Sequence, residues 1–280
     1  MTRTTRSLIL LLAEILLITS PGFARPSDPP ATDTKQLPFA ADEELYYEGE
    51  FSRLLLRGID IADLTFRTTY LPRTGDSENN GQKVRFTAEA LSKGVVVKLF
   101  GLKFRERVDS TVAVEPFGTE SNTRVDEQGK RVRTSTTDFD LVDGKVTYTE
   151  LDPNDPARPP RVVSSPLTGE AHDIASVFYY LRTQKLELGT TITVQISDSG
   201  QVYSVPVKIS AGKKIKTVLG KLNTIKVEPD MFGEGKLLRG KGSLVIYMTD
   251  DRRHVPVKAQ IKMEFGTVDI TLKRAILGRT

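Results

Sequence analysis

The chain has 280 residues, with 40 basic and 36 acidic side chains and no cysteine. The formal net charge is only +4, and basic and acidic residues are interleaved, so no nucleic-acid partner is predicted. The lack of cysteine excludes disulfide bonds and a lipid anchor on a cysteine. Burial of a hydrophobic core must therefore supply the stability of the fold.

The first 24 residues have the pattern of a secretory signal peptide. A basic start, MTRTTR, precedes the apolar run SLILLLAEILLITS, and small residues follow up to Ala24. The run is shorter than a membrane span and contains Glu14, which favours cleavage after Ala24 over an uncleaved anchor. We expect a periplasmic protein with no transmembrane segment in its mature part.

The rest of the chain divides into a leader and one domain. Residues 25–40, RPSDPPATDTKQLPFA, are rich in proline and polar residues without apolar periodicity, which predicts a disordered leader. From Asp42 onward the dominant hydrophobic period is two, which is typical of strands. We therefore predict a single β-rich domain over residues 41–280.

Turn sequences separate the predicted strands in the first half of this domain. A loop at 75–81 joins strands around 65–70 and 83–89, and Asp143-Gly144 marks a tight hairpin. Between them lies the most apolar run after the signal, Val95 to Arg105. Two interpretations stay open for this run: a strand buried on both faces, or a loop that meets a lipid surface or a cavity mouth. Under the second interpretation, Phe100 contacts an apolar ligand.

One helix is predicted near the middle of the domain. Ile174, Val177, Phe178 and Leu181 follow helical spacing, with His172 or Asp173 placed to cap the start. We expect the apolar stripe of this helix to pack against the sheet, across one open end of the barrel. Tyr179, which flanks this contact, is a candidate ligand contact.

The clearest strand follows the charged cluster Asp250-Asp251-Arg252-Arg253-His254. Six alternating apolar residues, from Val255 to Phe265, predict a half-buried strand. The inward positions Val257, Ala259 and Ile261 are candidate ligand contacts. Residues 249–253 then form an exposed turn rather than a reactive or metal-binding centre, and both aspartates are expected to be dispensable for stability.

About a dozen short strands and a single helix indicate a mostly β fold. We predict an antiparallel, barrel-like or strongly curved sheet with one short helix packed across it.

Four blocks of sequence resemble an exported bacterial family known as domain-of-unknown-function family 3108. They begin with EELYY at Glu43 and continue with HDIASVFYYLRTQKLELG, IKTVLGKLNTIKVEPD and GSLVIYMTDDRRHVPVKAQIKMEFGTVDITL. The family usually has a tryptophan in the fourth block, whereas this chain has Tyr247 near that position. The resemblance implies export and a β-rich single domain, and it implies no activity.

Two segments resemble cofactor-binding or metal-binding motifs, but each lacks a feature that the motif requires. The segment from Gly235 to Ser243 imitates a phosphate-binding loop but leads into a strand, where a helix would be required. The acidic segment from Asp138 to Gly144 imitates half of a calcium loop without the closing glutamate. No catalytic residue, metal or cofactor is predicted, and we expect a protein that is not an enzyme.

Three functions remain open. The first is an envelope protein that binds or carries an apolar ligand such as a lipid. The second is a structural or docking module for another envelope protein. The third is a glycan hydrolase that uses only carboxylates, for which the candidate residues are Glu43, Glu44, Glu228 and Asp230.

Overall fold

The computed structural model describes residues 37–72, 81–94, 98, 101 and 103–278. In this part of the chain, helix α1 spans Ser176–Thr183, and sixteen strands make up most of the remaining regular structure. The strands are β1 (Glu44–Arg53), β2 (Leu56–Tyr70), β3 (Lys83–Ser92), β4 (Phe104–Ala113), β5 (Gly118–Gln128), β6 (Arg131–Asp140), β7 (Lys145–Leu151), β8 (Arg161–Pro166), β9 (Thr191–Asp198), β10 (Gln201–Ala211), β11 (Ile215–Thr217), β12 (Gly220–Leu222), β13 (Thr224–Pro229), β14 (Gly242–Thr249), β15 (Pro256–Met263) and β16 (Gly266–Ile276).

Fourteen of these strands form one antiparallel sheet in the order β8-β7-β6-β5-β4-β3-β2-β1-β16-β15-β14-β13-β10-β9, and β11 and β12 form a separate hairpin. Because neighbouring strands run in opposite directions, their connections alternate between two ends of the sheet. The connections β1–β2, β3–β4, β13–β14 and β15–β16 lie at one end, which we call the β1–β2 end. The connections β2–β3, β10–β13 and β14–β15 lie at the other, the β2–β3 end.

The sheet curves around helix α1. Val177 and Leu181 pack in a core cluster with residues of β9, β10, β13 and β14. Tyr179 packs in a different cluster with Phe86 of β3 and Val112 of β4. A helix with its side chains is only about 10–12 Å across, so both halves of the sheet must bend toward each other to reach it. This arrangement confirms the predicted strongly curved antiparallel sheet with a short helix.

The segment that precedes α1 joins one edge of the sheet to a strand in its far half. His172 pairs with the outer edge of β9: its backbone N–H donates to the Gln195 carbonyl at 2.9 Å, and its carbonyl accepts from Ser197 N–H at 2.8 Å. The neighbouring Ala171 carbonyl accepts from Thr119 N–H of β5 at 3.2 Å. This segment therefore connects β9 to the far half of the sheet and makes the body barrel-like.

Cross-strand pairing explains the alternation seen in the sequence. Ala259 lies opposite Ile246 of β14 and Ile270 of β16, and Ile261 lies opposite Leu244 and Val268. These apolar residues share one face of three neighbouring strands, as the period of two predicts. The register shifts once: Tyr247 pairs with Lys258, but Met248 pairs with Pro256, so Val257 is an extra residue in β15.

The last residues of the predicted leader belong to the packed structure. Residues 25–36, like the predicted signal peptide, lie outside the described residues. At the end of the leader, Phe39 is only 2 % exposed, in edge-to-face contact with Phe86 and Tyr179. The apolar Phe39 and Ala40 are too few to show a period, so burial of this segment could not be read from the pattern.

Among the described residues, no helix has both the length and the apolar character needed to cross a membrane.

Candidate functional site

A cavity of about 340 Å³ lies between helix α1 and the curved sheet. Volumes of this size fall within the range of small-molecule pockets in proteins. Apolar side chains from both halves of the sheet and from the helix form most of its wall, including Leu45, Leu64, Phe66, Ala88, Val108, Val177, Phe178, Leu181, Ile196, Val207, Met231, Leu244, Ile246, Ala259, Ile261 and Ile270. The wall therefore presents mainly hydrocarbon surface.

Four charged residues also reach the wall, and each has an ion-pair partner. Arg182 pairs with Glu43, and Glu89 accepts from Arg105 at 2.9 Å. The other two pairs are Glu106 with Arg124 at 2.8 Å and Lys258 with Asp269 at 3.0 Å. Burial raises the pKa of the Glu106 carboxyl, and the charge of Arg124 offsets only part of this effect. The cavity thus offers a ligand no unpaired charge among the described residues.

The cavity reaches solvent toward the β1–β2 end. Two of its wall residues are exposed: Ile174, 52 % exposed, just before α1, and Leu238, 40 % exposed, in the β13–β14 connection. Phe232 and Leu237 of the same connection also line it. No wall residue comes from the described connections at the β2–β3 end. The mouth therefore lies beside Ile174 and Leu238.

The structure places three of the five predicted ligand contacts in the wall. Ala259, Ile261 and Tyr179 line the cavity. Val257 does not: because of the register shift in β15, Pro256 takes the wall position, and Val257 packs with Leu45, Tyr47, Val255 and Leu272 in a core cluster. Phe100 lies outside the described residues, as does most of the apolar run that contains it.

A buried ion pair closes the cavity on the side of the β2–β3 end. The Arg182 guanidinium binds the Glu43 carboxylate with two hydrogen bonds, Nη1–Oε1 at 2.5 Å and Nη2–Oε2 at 2.9 Å. The side chains are 1 % and 0 % exposed. Arg182 also donates to the carbonyls of Pro38, at 3.1 Å, and Arg253, at 2.9 Å. The helix is thereby joined to the segment before β1 and to the β14–β15 turn.

Aromatic rings complete the environment of this arginine. The guanidinium lies 5.4 Å from the ring centres of both Phe39 and Tyr179, within cation–π distance. Burial alone would lower the pKa of Arg182, but the hydrogen bonds and charge of Glu43 raise it above its ordinary value. Arg182 is therefore a permanently charged structural residue rather than a group that exchanges protons.

Helix α1 begins at a polar cluster. Asp173 Oδ1 accepts from the backbone N–H groups of Ala175, at 2.8 Å, and Ser176, at 2.9 Å, while Asp173 N–H donates to Ser176 Oγ at 2.9 Å. Asp173 Oδ2 also accepts from Ser110 and from Asn122 of the sheet. Asp173 therefore binds the free backbone N–H groups at the start of the helix, as predicted, and Ala175 already has helical backbone angles just before the helix begins at Ser176.

His172 does not cap the helix. Its ring is 1 % exposed and stacks on Tyr180 with ring centres 4.0 Å apart. Burial lowers the pKa of this imidazole to about 3, so the ring is neutral at physiological pH.

The charged cluster that follows β14 is a turn, as predicted. Asp250 and Asp251 are exposed, but Asp251 Oδ1 accepts from the Thr249 hydroxyl at 2.8 Å and from Arg253 N–H at 2.9 Å. The Arg253 carbonyl in turn accepts from buried Arg182. Asp251 shapes the turn that meets the helix, so the expectation that both aspartates are dispensable fits Asp250 better than Asp251.

The four carboxylates of the hydrolase hypothesis are all engaged with basic residues. Besides the Glu43 pair, Glu44 binds Arg67 at 2.9 Å and Arg274 at 2.6 Å. Glu228 lies 2.8 Å from Lys226, and Asp230 lies 2.5 Å from Lys236. None of the four contributes to the cavity wall.

A group of three carboxylates could in principle hold a metal ion. Oxygens of Glu48, Glu50 and Asp60 lie within 4.8 Å of one another on half-buried strand positions of β1 and β2. Lys93 lies 3.0 Å from Glu48, and Lys273 lies 3.1 Å from it. The two lysines already provide positive charge where a cation would otherwise be needed.

Arg182 is the principal residue that sequence reasoning missed. It lies eight residues after Ile174, which puts it on the same helical stripe as Val177, Phe178 and Leu181. A basic residue inside an apolar stripe signals a buried charge that needs a partner. The identity of the partner, 139 residues away, is not visible in any local pattern.

Comparison with known proteins places the chain by family and fold. The family model described as "Protein of unknown function (DUF3108)" matches residues 44–273. No curated protein matches. Among solved structures, the chain is similar to a crystal structure of a β-barrel-like protein of domain of unknown function DUF1849 from Brucella abortus, with 9 % identity and a TM-score of 0.52. The similarity covers 86 % of this chain and 99 % of that one, and at this identity it supports the barrel-like fold alone.

Proposed function

The chain belongs to the DUF3108 family, whose function is unknown, and from this premise we propose that it binds an elongated apolar ligand, such as the acyl chain of a lipid, in the cavity beside α1. The observation that carries the proposal is the wall: hydrocarbon on nearly all sides, with every charged wall residue already ion-paired. Such a surface favours hydrocarbon over water or a charged solute.

The size of the cavity limits the ligand. An apolar cavity of about 150 Å³ holds one benzene molecule. On that scale, the 340 Å³ found here accommodates roughly a dozen carbon atoms. A single hydrocarbon chain fits this description, with its polar end at the mouth near Ile174 and Leu238.

The proposed role is binding rather than catalysis. The carboxylates that a glycan hydrolase would need are bound to arginine or lysine, and His172 is buried and neutral. A general acid or base must be able to exchange a proton with a substrate, and these groups are poorly arranged for that task.

A dye titration tests the ligand proposal. An environment-sensitive apolar dye should bind the folded protein saturably. Ala259→Phe should weaken binding at least tenfold, since a phenyl ring would occupy space in the cavity wall. The control is Lys262→Phe, which adds the same ring at an exposed position three residues further along β15. Equal affinity in both variants, or no saturable binding by the native protein, would favour the docking-module function instead.

We further propose that the protein is exported and that its mature form begins near Arg25. The support is the basic–apolar–small pattern of residues 1–24. Amino-terminal sequencing of protein from the periplasmic fraction of an expressing bacterium should find Arg25 or a near neighbour. A chain that still starts at Met1 would contradict this proposal.

A further inference from the structure

The β1–β2 hairpin displays three leucines to solvent. Leu54, Leu55 and Leu56 are 86 %, 98 % and 49 % exposed, and they follow one another at the tip. Leu54 has φ +48°, in the left-handed region. Two-residue hairpin turns with positive φ ordinarily use Asn, Asp or Gly, so leucine is a poor choice for forming this turn. Neither the core nor the turn geometry accounts for the leucines.

More apolar surface lies at the same end of the sheet. Phe265 of the β15–β16 turn is 55 % exposed, and β16 is the direct neighbour of β1. Leu238 of the β13–β14 connection is exposed as well, at the cavity mouth. Three connections at the β1–β2 end therefore expose large apolar side chains, which is the pattern of an interaction surface.

Unpaired positive charge accompanies these residues. Arg53 and Arg57 flank the leucines, and Arg239 and Lys241 follow Leu238; all four are exposed. None of them forms an ion pair within the described part of the chain, whereas Lys93, just after β3, and Lys273 of β16 are both paired with Glu48. Asp230, Glu234 and Glu264 are the acidic residues in the β13–β14 and β15–β16 connections, and Asp230 is already paired with Lys236, so the unpaired basic side chains prevail.

We propose that the β1–β2 end is a membrane-docking surface that inserts Leu54 and Leu55 into the interface of a bilayer containing anionic lipid. Apolar side chains between arginines match such an interface: the leucines enter the acyl boundary, and the guanidinium groups meet lipid phosphates. Docking here would bring the cavity mouth against the membrane. The surface stands independently of the proposed cavity ligand, because none of the leucines lines the cavity.

The absence of tryptophan from the chain allows a direct test. Leu55→Trp places a single indole at the hairpin tip. Its emission should shift to shorter wavelength on addition of vesicles of equimolar phosphatidylcholine and phosphatidylglycerol, because the indole leaves water. The control, Val142→Trp, labels the β6–β7 turn at the opposite end, where Val142 is 96 % exposed, and should show no shift. A shift in both variants, or in neither, would overturn the proposal.

Vesicle co-sedimentation measures the contributions of the leucines and arginines. Leu54→Ser with Leu55→Ser should lower the partition coefficient at least tenfold, and Leu141→Ser with Val142→Ser should leave it unchanged. Arg53→Gln with Arg57→Gln should lower it about fivefold per arginine, from the attraction of one basic residue to an anionic surface. The control replaces two lysines of the β11–β12 hairpin, at the β2–β3 end, with Lys216→Gln and Lys221→Gln. It removes the same amount of positive charge and should leave the partition coefficient unchanged.

Two further results separate this proposal from that of the cavity. The double serine variant should keep its thermal stability, because both leucines are exposed, and it should still bind the apolar dye. The native protein should partition more strongly onto the anionic vesicles than onto vesicles of pure phosphatidylcholine. Equal partition onto the two, or a partition coefficient that falls as much in the lysine variant as in the arginine variant, would show that the β1–β2 end has no specific anionic docking surface.

Discussion

Glu43 and Glu44 are neighbours in the chain with very different surroundings. Glu43 is buried with Arg182, whereas Glu44 meets Arg67 and Arg274 near the surface. Removing one partner of a buried pair leaves the other charge uncompensated, which costs about 3–5 kcal/mol, whereas an exposed pair contributes about 1 kcal/mol or less.

Glu43→Ala should therefore lower the free energy of unfolding by about 3–5 kcal/mol, and Glu44→Ala by less than about 1 kcal/mol. Urea unfolding followed by circular dichroism measures both values. Similar losses in the two variants would mean that the Arg182 guanidinium finds water or another partner once Glu43 is gone.

His172 makes stability depend on pH in a defined direction. Its pKa is about 3 in the folded protein and about 6.5 in an unfolded chain. Below pH 6.5 the unfolded state therefore binds a proton that the folded state does not, and stability falls as the pH is lowered toward 3. Above pH 6.5 neither state binds the proton, and the contribution is constant.

His172→Phe should remove this contribution, since phenylalanine keeps a flat ring against Tyr180 without a titratable group. Between pH 7 and pH 5 the native protein should lose about 2 kcal/mol more than the variant. Chemical denaturation at pH 7 and pH 5 measures the free energy of unfolding of both proteins. If this free energy changes equally with pH in His172→Phe and in the native protein, the prediction is wrong.

At the scale of elements, β15 shows which structural features the local hydrophobic pattern can predict and which it cannot. The alternation over 255–265 correctly predicts a strand with Ala259 and Ile261 facing inward. It does not predict the extra residue at Val257, because a bulge is set by the partner strand β14 and by the position of Pro256 rather than by the sequence of β15 itself.

Ile261→Asp should lower the free energy of unfolding by several kcal/mol, because it puts a carboxylate in an apolar wall whose basic residues already have ion-pair partners. Lys262→Asp, on the exposed face of the same strand, should change it by less than about 1 kcal/mol. Thermal melting of both variants measures the difference. Equal melting temperatures would show that the register of β15 against β14 and β16 is incorrect.

Helix α1 was predicted from its apolar spacing, but its surroundings were not. The apolar stripe accounts for Val177 and Leu181 against one half of the sheet. Burial of Tyr179 on the other side, and of Arg182 at the end, depends on the sheet returning around the helix. Such contacts join residues far apart in sequence, so no window of neighbouring residues contains the information.

At the scale of the whole molecule, the contact between the β9–β10 turn and the β7–β8 strands depends on a glycine. Gly200 has φ +81°, and a Cβ there would lie 2.7 Å from the Val163 carbonyl oxygen and 2.8 Å from Tyr148 Cβ. Gly220 also has a positive φ, +107°, but nothing lies within 4 Å of its Cβ position.

Gly200→Ala should therefore lower the melting temperature clearly more than Gly220→Ala. Both substitutions strain the backbone at positive φ, but only the first forces the two parts of the sheet apart. Differential scanning calorimetry compares the variants. A smaller effect at Gly200 than at Gly220 would indicate that the edges of the sheet separate readily in solution.

The overall architecture was accessible from sequence because hairpin spacing repeats along the chain. Turn residues between short alternating segments predict antiparallel neighbours, as seen from β2 through β8. The pairing of β1 with β16 and the closure beside His172 were not accessible, because both join segments with no sequence signal that links them. The position and mouth of the cavity follow from those two long-range contacts.

The pairing of β1 with β16 has a consequence for the way the chain reaches its fold. Glu44 lies opposite Ile276, so the centre of the sheet is made from the two described strands that are furthest apart in sequence. During synthesis, β1 can pair with β2 early, but its other edge stays open until β16 has been made. Until then a row of backbone amides and the apolar Leu45 and Tyr47 are available to other chains. Contacts over such long sequence distances slow folding, so we expect the middle of this barrel-like body to form late, with the open edge of β1 exposed to aggregation while the rest of the chain is made.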